Sequence, residues 1–208
     1  MKTLLISLTM ALVTLLANAQ LKGSGKTVTK TYDYKNFDKV YFDDLDGKLE
    51  IEVGKPFSVS ITIDDNLLPF LSVVENEFKK GLTISLKGNR NNKMYIEDTK
   101  IKVIITMPYL TDVSNNGNSG LIVTNINSKN FKSENPVNGS TTLSGIVDYL
   151  DVLCKGNGNL SATQLLTKKA TVVCRGNGNA KVNVSNEIEL SKSGNGNIIN
   201  IGKAKVIQ

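Results

Sequence analysis

Gly156-Asn157-Gly158-Asn159, Gly176-Asn177-Gly178-Asn179 and Gly194-Asn195-Gly196-Asn197 decide the fold of this 208-residue chain. Their leading glycines lie 20 and 18 residues apart, about the length of one turn of a stacked β-solenoid. The flanks repeat with them. Leu150, Val152 and Cys154 precede the first tetrapeptide at alternate positions, Ala170, Val172 and Cys174 the second, and Ile188 and Leu190 the third. Apolar alternation of this kind marks a half-buried strand. Gly and Asn tolerate the backbone of a sharp corner, so Gly156, Gly176 and Gly194 are expected at positive φ or otherwise strained positions. One repeat then reads as a strand, a Gly-Asn corner and a second short strand such as Leu160 to Ala162 or Ala180 to Val184.

Working outward, degenerate corners stand at Asn116-Gly117-Asn118-Ser119-Gly120 and Asn138-Gly139-Ser140. The glycine series 117, 139, 156, 176, 194 advances by 22, 17, 20 and 18. Five corners imply about five coils, above the three or so that make a continuous core. The expected fold is all-β: a right-handed parallel β-helix-like solenoid over 111–208, preceded by N-terminal β-strands over 37–110. Those strands read as Val40 to Phe42, Leu49 to Val53, Phe57 to Ile63, Leu82 to Leu86 and Ile101 to Met107. Turn signals divide them at Asp46-Gly47, Gly54-Lys55-Pro56, Lys80-Gly81 and Gly88 through Asn92. Asp64 to Phe70 carries the composition of one short helical turn, with an acidic start and Leu67 and Leu68 to bury.

Lys2, the apolar run Leu4 to Leu16 and the small-x-small site Ala17-Asn18-Ala19 describe a cleavable signal peptide over 1–19. The run is too short for a transmembrane helix. Export to the periplasm, the cell surface or the medium is therefore expected. The segment 20–36 reads as a polar, mobile lead-in. The net charge is +6, but the lysines are scattered and no basic stripe with interleaved aromatics exists, so a nucleic-acid partner is not expected. Cys154 and Cys174 each stand two residues before a repeat glycine and would be neighbours on adjacent strands. Both a stacked pair of core thiols and a disulfide fit that placement.

Phe37-Asp38-Lys39-Val40, Asp64-Asp65-Asn66-Leu67-Leu68, the strand from Lys100 ending in Met107-Pro108-Tyr109-Leu110, and the Gly-Asn-Gly-Asn corners together carry a resemblance. They resemble the exported family called auto-transporter adhesin, head GIN domain, common in Bacteroidetes. The resemblance spans nearly all of 37–207. It implies a β-helix-like stack and an adhesin-type role, and it supplies no catalytic residues.

The chain has no histidine, which removes the usual general base and most transition-metal sites. Catalytic, cofactor and metal sites are all read as none. Asp43, Asp44, Asp46, Glu50 and Glu52 are the carboxylates a carbohydrate-active enzyme would draw on, with Tyr32, Tyr34, Tyr41 and Phe42 as sugar platforms. Glu50 and Glu52 alternate with Leu49, Ile51 and Val53, which also describes a solvated strand face. Asp151 and Glu189 match in register, but Thr171 lies between them. Asp44-Leu45-Asp46-Gly47 fails as a calcium loop, because Phe42 and Val53 fall at ligand positions. Gly23-Ser24-Gly25-Lys26-Thr27 lacks the first glycine of a phosphate loop. The distinctive polar feature is two asparagine files, Asn157, Asn177, Asn195 and Asn159, Asn179, Asn197. They suit either an amide ladder along the stack or a ridge that reads a ligand. The function expected is a non-enzymatic cell-envelope structural or adhesion module with a rigid face for glycan or protein contact. A polysaccharide hydrolase or lyase using the N-terminal carboxylates is the alternative. Oligomeric state stays open.

Overall fold

A computed structural model describes residues 21–87 and 96–207. The signal-peptide reading of 1–19 and the turn signal at 88–92 lie outside the described residues. The fold is all-β, built on a 14-stranded sheet that curls on itself and stays open at its edges.

The Gly-Asn corners alternate with four long strands: β11 (Gly120–Asn135), β12 (Ser140–Cys154), β13 (Leu160–Cys174) and β14 (Ala180–Lys192). Each pairs in parallel with the next, Gly120 opposite Ser140, Cys154 opposite Cys174, and Leu160 opposite Ala180. The link from Asn135 to Ser140 is short, whereas a straight strand of this length would run about 50 Å. Parallel pairing across so short a link requires each strand to bend back on itself. The bends show as register breaks between Val123 and Ile126 and between Thr142 and Ser144, beside Asn125 (φ 61°) and Gly145 (φ 135°). The stack ends in β15 (Ile198–Asn200) and β16 (Lys205–Ile207), both parallel to β14.

The N-terminal region continues the same sheet. β3 (Lys39–Asp43) lies parallel to β10 (Asp112–Asn116), Lys39 opposite Asp112, and β4 (Gly47–Val53) lies parallel to β11, Lys48 opposite Gly120. Residues 72 or 73 positions apart thus share a level, as the Asn116 amide donating to Asp43 shows. Beyond these strands come β7 (Gly81–Leu86) against β3 and β9 (Ile101–Met107) against β4, both parallel. β6 (Leu71–Asn76) closes the first side antiparallel to β7, and β5 (Ser58–Asp64) lies antiparallel to β9. A single apolar cluster runs through both regions, from Phe37 to Ile188.

The lead-in differs from its sequence reading. β2 (Thr27–Tyr32) pairs antiparallel with β5, and β1 (Leu21–Lys22) pairs with β8 (Ile96–Glu97). A polar strand with only Val28 and Tyr32 half-buried looks like a tail in composition, yet it satisfies the edge of β5. Asp64 fastens it by accepting from the Gly25 and Lys100 backbone amides. The expected helical turn is a 3-10 helix, Asp65–Phe70, with Leu67 buried. Asp64 precedes it without making a side-chain cap, because its carboxylate holds the lead-in instead.

Candidate functional site

The corners that join each strand to the next bring one asparagine per level to the surface in a file. Asn195 donates through Nδ2 to Asn177 Oδ1 (3.1 Å), Asn177 to Asn157 (2.8 Å), Asn157 to Asn138 (2.9 Å) and Asn138 to Asn118 (3.2 Å). Backbone pairing fixes neighbouring levels about 4.8 Å apart, a spacing one amide spans. Each interior amide of the file uses one N–H and one lone pair on its neighbours, leaving a second N–H and a second lone pair for solvent or a ligand. Asn118 and Asn138 belong to this file although glycine spacing did not single them out. The asparagines advance by 20, 19, 20 and 18, a steadier period than the glycine series. The structural counterpart of Gly156 is Val137 and that of Gly158 is Gly139, so the 22 and 17 steps came from aligning unlike glycines.

The second file does different work. Asn159 Oδ1 accepts the Asn179 backbone N–H (2.9 Å) and Asn179 Oδ1 accepts that of Asn197 (2.9 Å), so these amides hold corner backbone in place. A third column points inward. Asn115 and Asn135 are buried and donate to corner carbonyls of Ser119 (2.9 Å) and Gly139 (3.0 Å). Asn135, Cys154 and Cys174 stand in the same column. The repeated 20-residue spacing of Asn115 and Asn135 was the available signal for the first two.

Cys154 and Cys174 are free thiols, each 1% exposed. Hydrogen bonding between them and burial push the Cys154 thiol far above its ordinary range. Thiol labelling of the native protein is expected to be slow and to become fast only on unfolding. Rapid labelling of both in the native state would mean a one-residue error in strand register, which turns every side chain to the other face.

Of the three leading glycines only Gly194 has positive φ (110°). At Gly156 and Gly176 the reason for glycine is close approach: an added Cβ would sit 1.8 Å from Val137 O and 2.2 Å from Gly156 O. The corners nest backbone on backbone, which is what lets the asparagine file stay in hydrogen-bonding range.

Lys155 and Arg175 flank the ridge, one residue before the leading glycines, and both are exposed. Neither forms an ion pair among the described residues, unlike Lys168 with Asp148 (2.8 Å) and Lys169 with Glu187 (2.7 Å) elsewhere on the surface. The ridge therefore combines amide donors and acceptors with unneutralised cations.

Three of the N-terminal carboxylates are engaged with polar or cationic neighbours. Asp43 accepts from Asn116, Glu50 pairs with Lys102 (3.4 Å) and Glu52 with Lys55 (2.8 Å). Glu50 and Glu52 line a shallow recess of about 170 Å³ with Ile104 and Ile122, smaller than pockets that enclose a ligand. The aromatic group is divided too. Phe42 is wholly buried, while Tyr32 and Tyr34 stack at 5.9 Å. Tyr41 donates to Asp112 (3.4 Å), and burial with the nearby Asp112 charge pushes its phenol up to about 12. Burial likewise raises the Asp112 carboxyl. In the repeats Thr171 sits between Asp151 and Glu189 and bonds to Glu189 (3.4 Å).

No helix among the described residues is long and apolar enough to cross a membrane. No curated protein matches the sequence. A crystal structure of a protein from Bacteroides fragilis, described as a putative adhesin, is similar in fold. It is 17% identical, the match covers 90% of this chain and 100% of that one, and the TM-score is 0.62. A protein from Parabacteroides distasonis described as a "Putative lipid binding protein" is 18% identical, with 91% and 100% covered and a TM-score of 0.48. A putative adhesin from Parabacteroides merdae is 17% identical, with 90% and 98% covered and a TM-score of 0.47. The family model described as "Putative auto-transporter adhesin, head GIN domain" matches residues 36–204. The chain belongs to the auto-transporter adhesin, head GIN domain family.

Proposed function

We propose that the protein is an exported, non-enzymatic module of the cell envelope, a solenoid of about five coils whose corner ridge contacts glycan or protein. The observation that carries this reading is the file Asn118, Asn138, Asn157, Asn177 and Asn195, flanked by the uncompensated Lys155 and Arg175. Amides repeating at the strand spacing suit a ligand that is itself repetitive and rich in hydroxyls. The two cations favour one that also carries negative charge. Such a ligand would span several levels and draw its affinity from many weak contacts, because a repeat surface offers no enclosing pocket. The segment 1–19 is the signal that exports it, leaving Gln20 as the first residue of the mature protein.

A glycan array that includes envelope polysaccharides identifies the ligand. Replacing Asn157, Asn177 or Asn195 singly by alanine is expected to change its binding less than about twofold, and replacing all three to weaken it about tenfold or more. Loss of all binding from one single substitution would contradict the distributed contact. Turnover of a polysaccharide that vanishes on replacing one of Asp43, Asp44, Asp46, Glu50 or Glu52 would instead establish the carbohydrate-active enzyme.

A further inference from the structure

Lys48 on β4 and Lys102 on β9 stand directly opposite each other in parallel register. Lys100, two residues before Lys102, is exposed on the same side, with buried Ile101 between them. Neighbouring strands lie about 4.8 Å apart, and like charges set opposite one another destabilise a sheet. Lysine on an edge strand guards against edge-to-edge pairing, but neither strand here is an edge. β9 lies between β4 and β5, and β4 lies between β9 and β11. Elsewhere on the surface opposite positions carry opposite charges, as where Lys169 faces Glu187 and pairs with it at 2.7 Å.

These three lysines line a cleft of about 480 Å³ with Thr27, Thr62 and Thr99, and no carboxylate among the described residues lines it. Lys48 takes part in no ion pair among the described residues. Lys100 Nζ donates to the Gly25 carbonyl (3.1 Å), which positions its charge without neutralising it. Lys102 alone has a carboxylate partner, Glu50 at 3.4 Å. The neighbouring acids are engaged elsewhere. Asp64 is wholly buried and accepts from the Gly25 and Lys100 backbone amides, while Asp98 pairs with Lys22 and Asp65 with Lys26. Asp46, beside Gly47, pairs with none of the three lysines, and its carbonyl accepts from the Thr99 hydroxyl. The Thr62 hydroxyl shares a hydrogen bond with Thr29 (2.9 Å).

We propose that this cleft binds a phosphomonoester carried on a sugar. A phosphomonoester bears nearly two negative charges and three terminal oxygens near neutral pH, one oxygen for each ammonium group. Lysine meets tetrahedral phosphate as a point charge, whereas the fork of arginine matches a flat carboxylate, and no arginine lines the cleft. Bound phosphate also removes the repulsion between Lys48 and Lys102. The volume falls in the range of about 300–1,000 Å³ that holds a small ligand, more than a bare phosphate fills. The Thr27 and Thr62 hydroxyls give the remaining sugar hydroxyls partners on the facing wall. The site lies among the N-terminal strands and uses no residue of the asparagine ridge.

Isothermal titration of the full chain with glucose 6-phosphate at low salt is expected to give a dissociation constant below about 1 mM. Glucose, glucuronate and inorganic phosphate are each expected to bind at least about tenfold more weakly. Lys48→Gln and Lys100→Gln are each expected to weaken binding about tenfold with the circular dichroism spectrum retained, because both side chains are exposed. Lys79→Gln makes the same charge change in the turn between β6 and β7 and is expected to leave binding unchanged, as is replacing Asn157, Asn177 and Asn195 together by alanine. Vesicles of phosphatidylcholine with phosphatidic acid present a phosphomonoester without a sugar, and are expected to sediment no more protein than phosphatidylcholine alone. No binding of glucose 6-phosphate, equal binding of glucuronate or inorganic phosphate, capture by the phosphatidic acid vesicles, or an equal loss from Lys79→Gln would each overturn the proposal.

Discussion

Phe131→Ala is expected to destabilise the protein by about 3–5 kcal/mol, read as a lowered urea midpoint with an unchanged slope. Phe131 is 1% exposed and stands inward on β11, directly beneath Leu150 in the column that continues through Ala170 and Ile188. Two terms add on truncation: the apolar surface no longer removed from water, and the cavity left behind. The cavity cannot close here, because the levels on either side are held at hydrogen-bonded spacing by parallel pairing to β10 and β12. Small Ala170 two levels on offers no bulk to swing into the gap. Phe78 is the natural control, since it is fully exposed, and Phe78→Ala is expected to stay within about 0.5 kcal/mol. Equal midpoints for the two variants would mean that the column is not packed as described.

Gly156→Ala is expected to cost at least about 2 kcal/mol, although its φ is one that any residue adopts. The new methyl group would meet the Val137 carbonyl oxygen at 1.8 Å, its carbon at 2.3 Å and its Cα at 2.5 Å. All three are backbone atoms, and that backbone is tied in place by the Gly158 N–H donating to Val137 O (3.3 Å) and the Lys155 N–H donating to Asn135 O (3.0 Å). No side-chain rotation relieves such a contact, so the corner must open and the Asn157–Asn138 link must lengthen. Gly54 separates this cause from backbone strain. It has φ 88° and nothing within 4 Å of an added Cβ, so Gly54→Ala carries the conformational cost alone, about 1 kcal/mol. If Gly54→Ala proved as damaging as Gly156→Ala, close approach would not be the reason for the corner glycine.

Legibility followed the range of the interactions involved. The alternation of Leu150, Val152 and Cys154, and of Ala170, Val172 and Cys174, placed strands and their buried faces, because period two is set within a few residues. Asn157, Asn177 and Asn195 share one offset in the sequence and one file in the structure, since a file needs only a constant number of residues per level. Glycine was a poorer ruler than asparagine. Gly156 answers to nested backbone and Gly194 also to positive φ, so glycines at 117 and 139 fell out of step while Asn118 and Asn138 kept the file.

What the sequence alone determined is the all-β class and which face of each alternating strand turns inward, since both depend on local alternation. Tertiary structure alone decided three things. It laid β3 on β10 across 73 residues and β4 on β11 across 72, turned the polar lead-in into an edge strand, and left Leu190 and Val206 part-exposed in the last strands of the described residues. Each depends on which strand edges remain unpaired once the others have met. Backbone hydrogen bonds are nearly blind to residue type, so that choice leaves little trace in the order of the side chains.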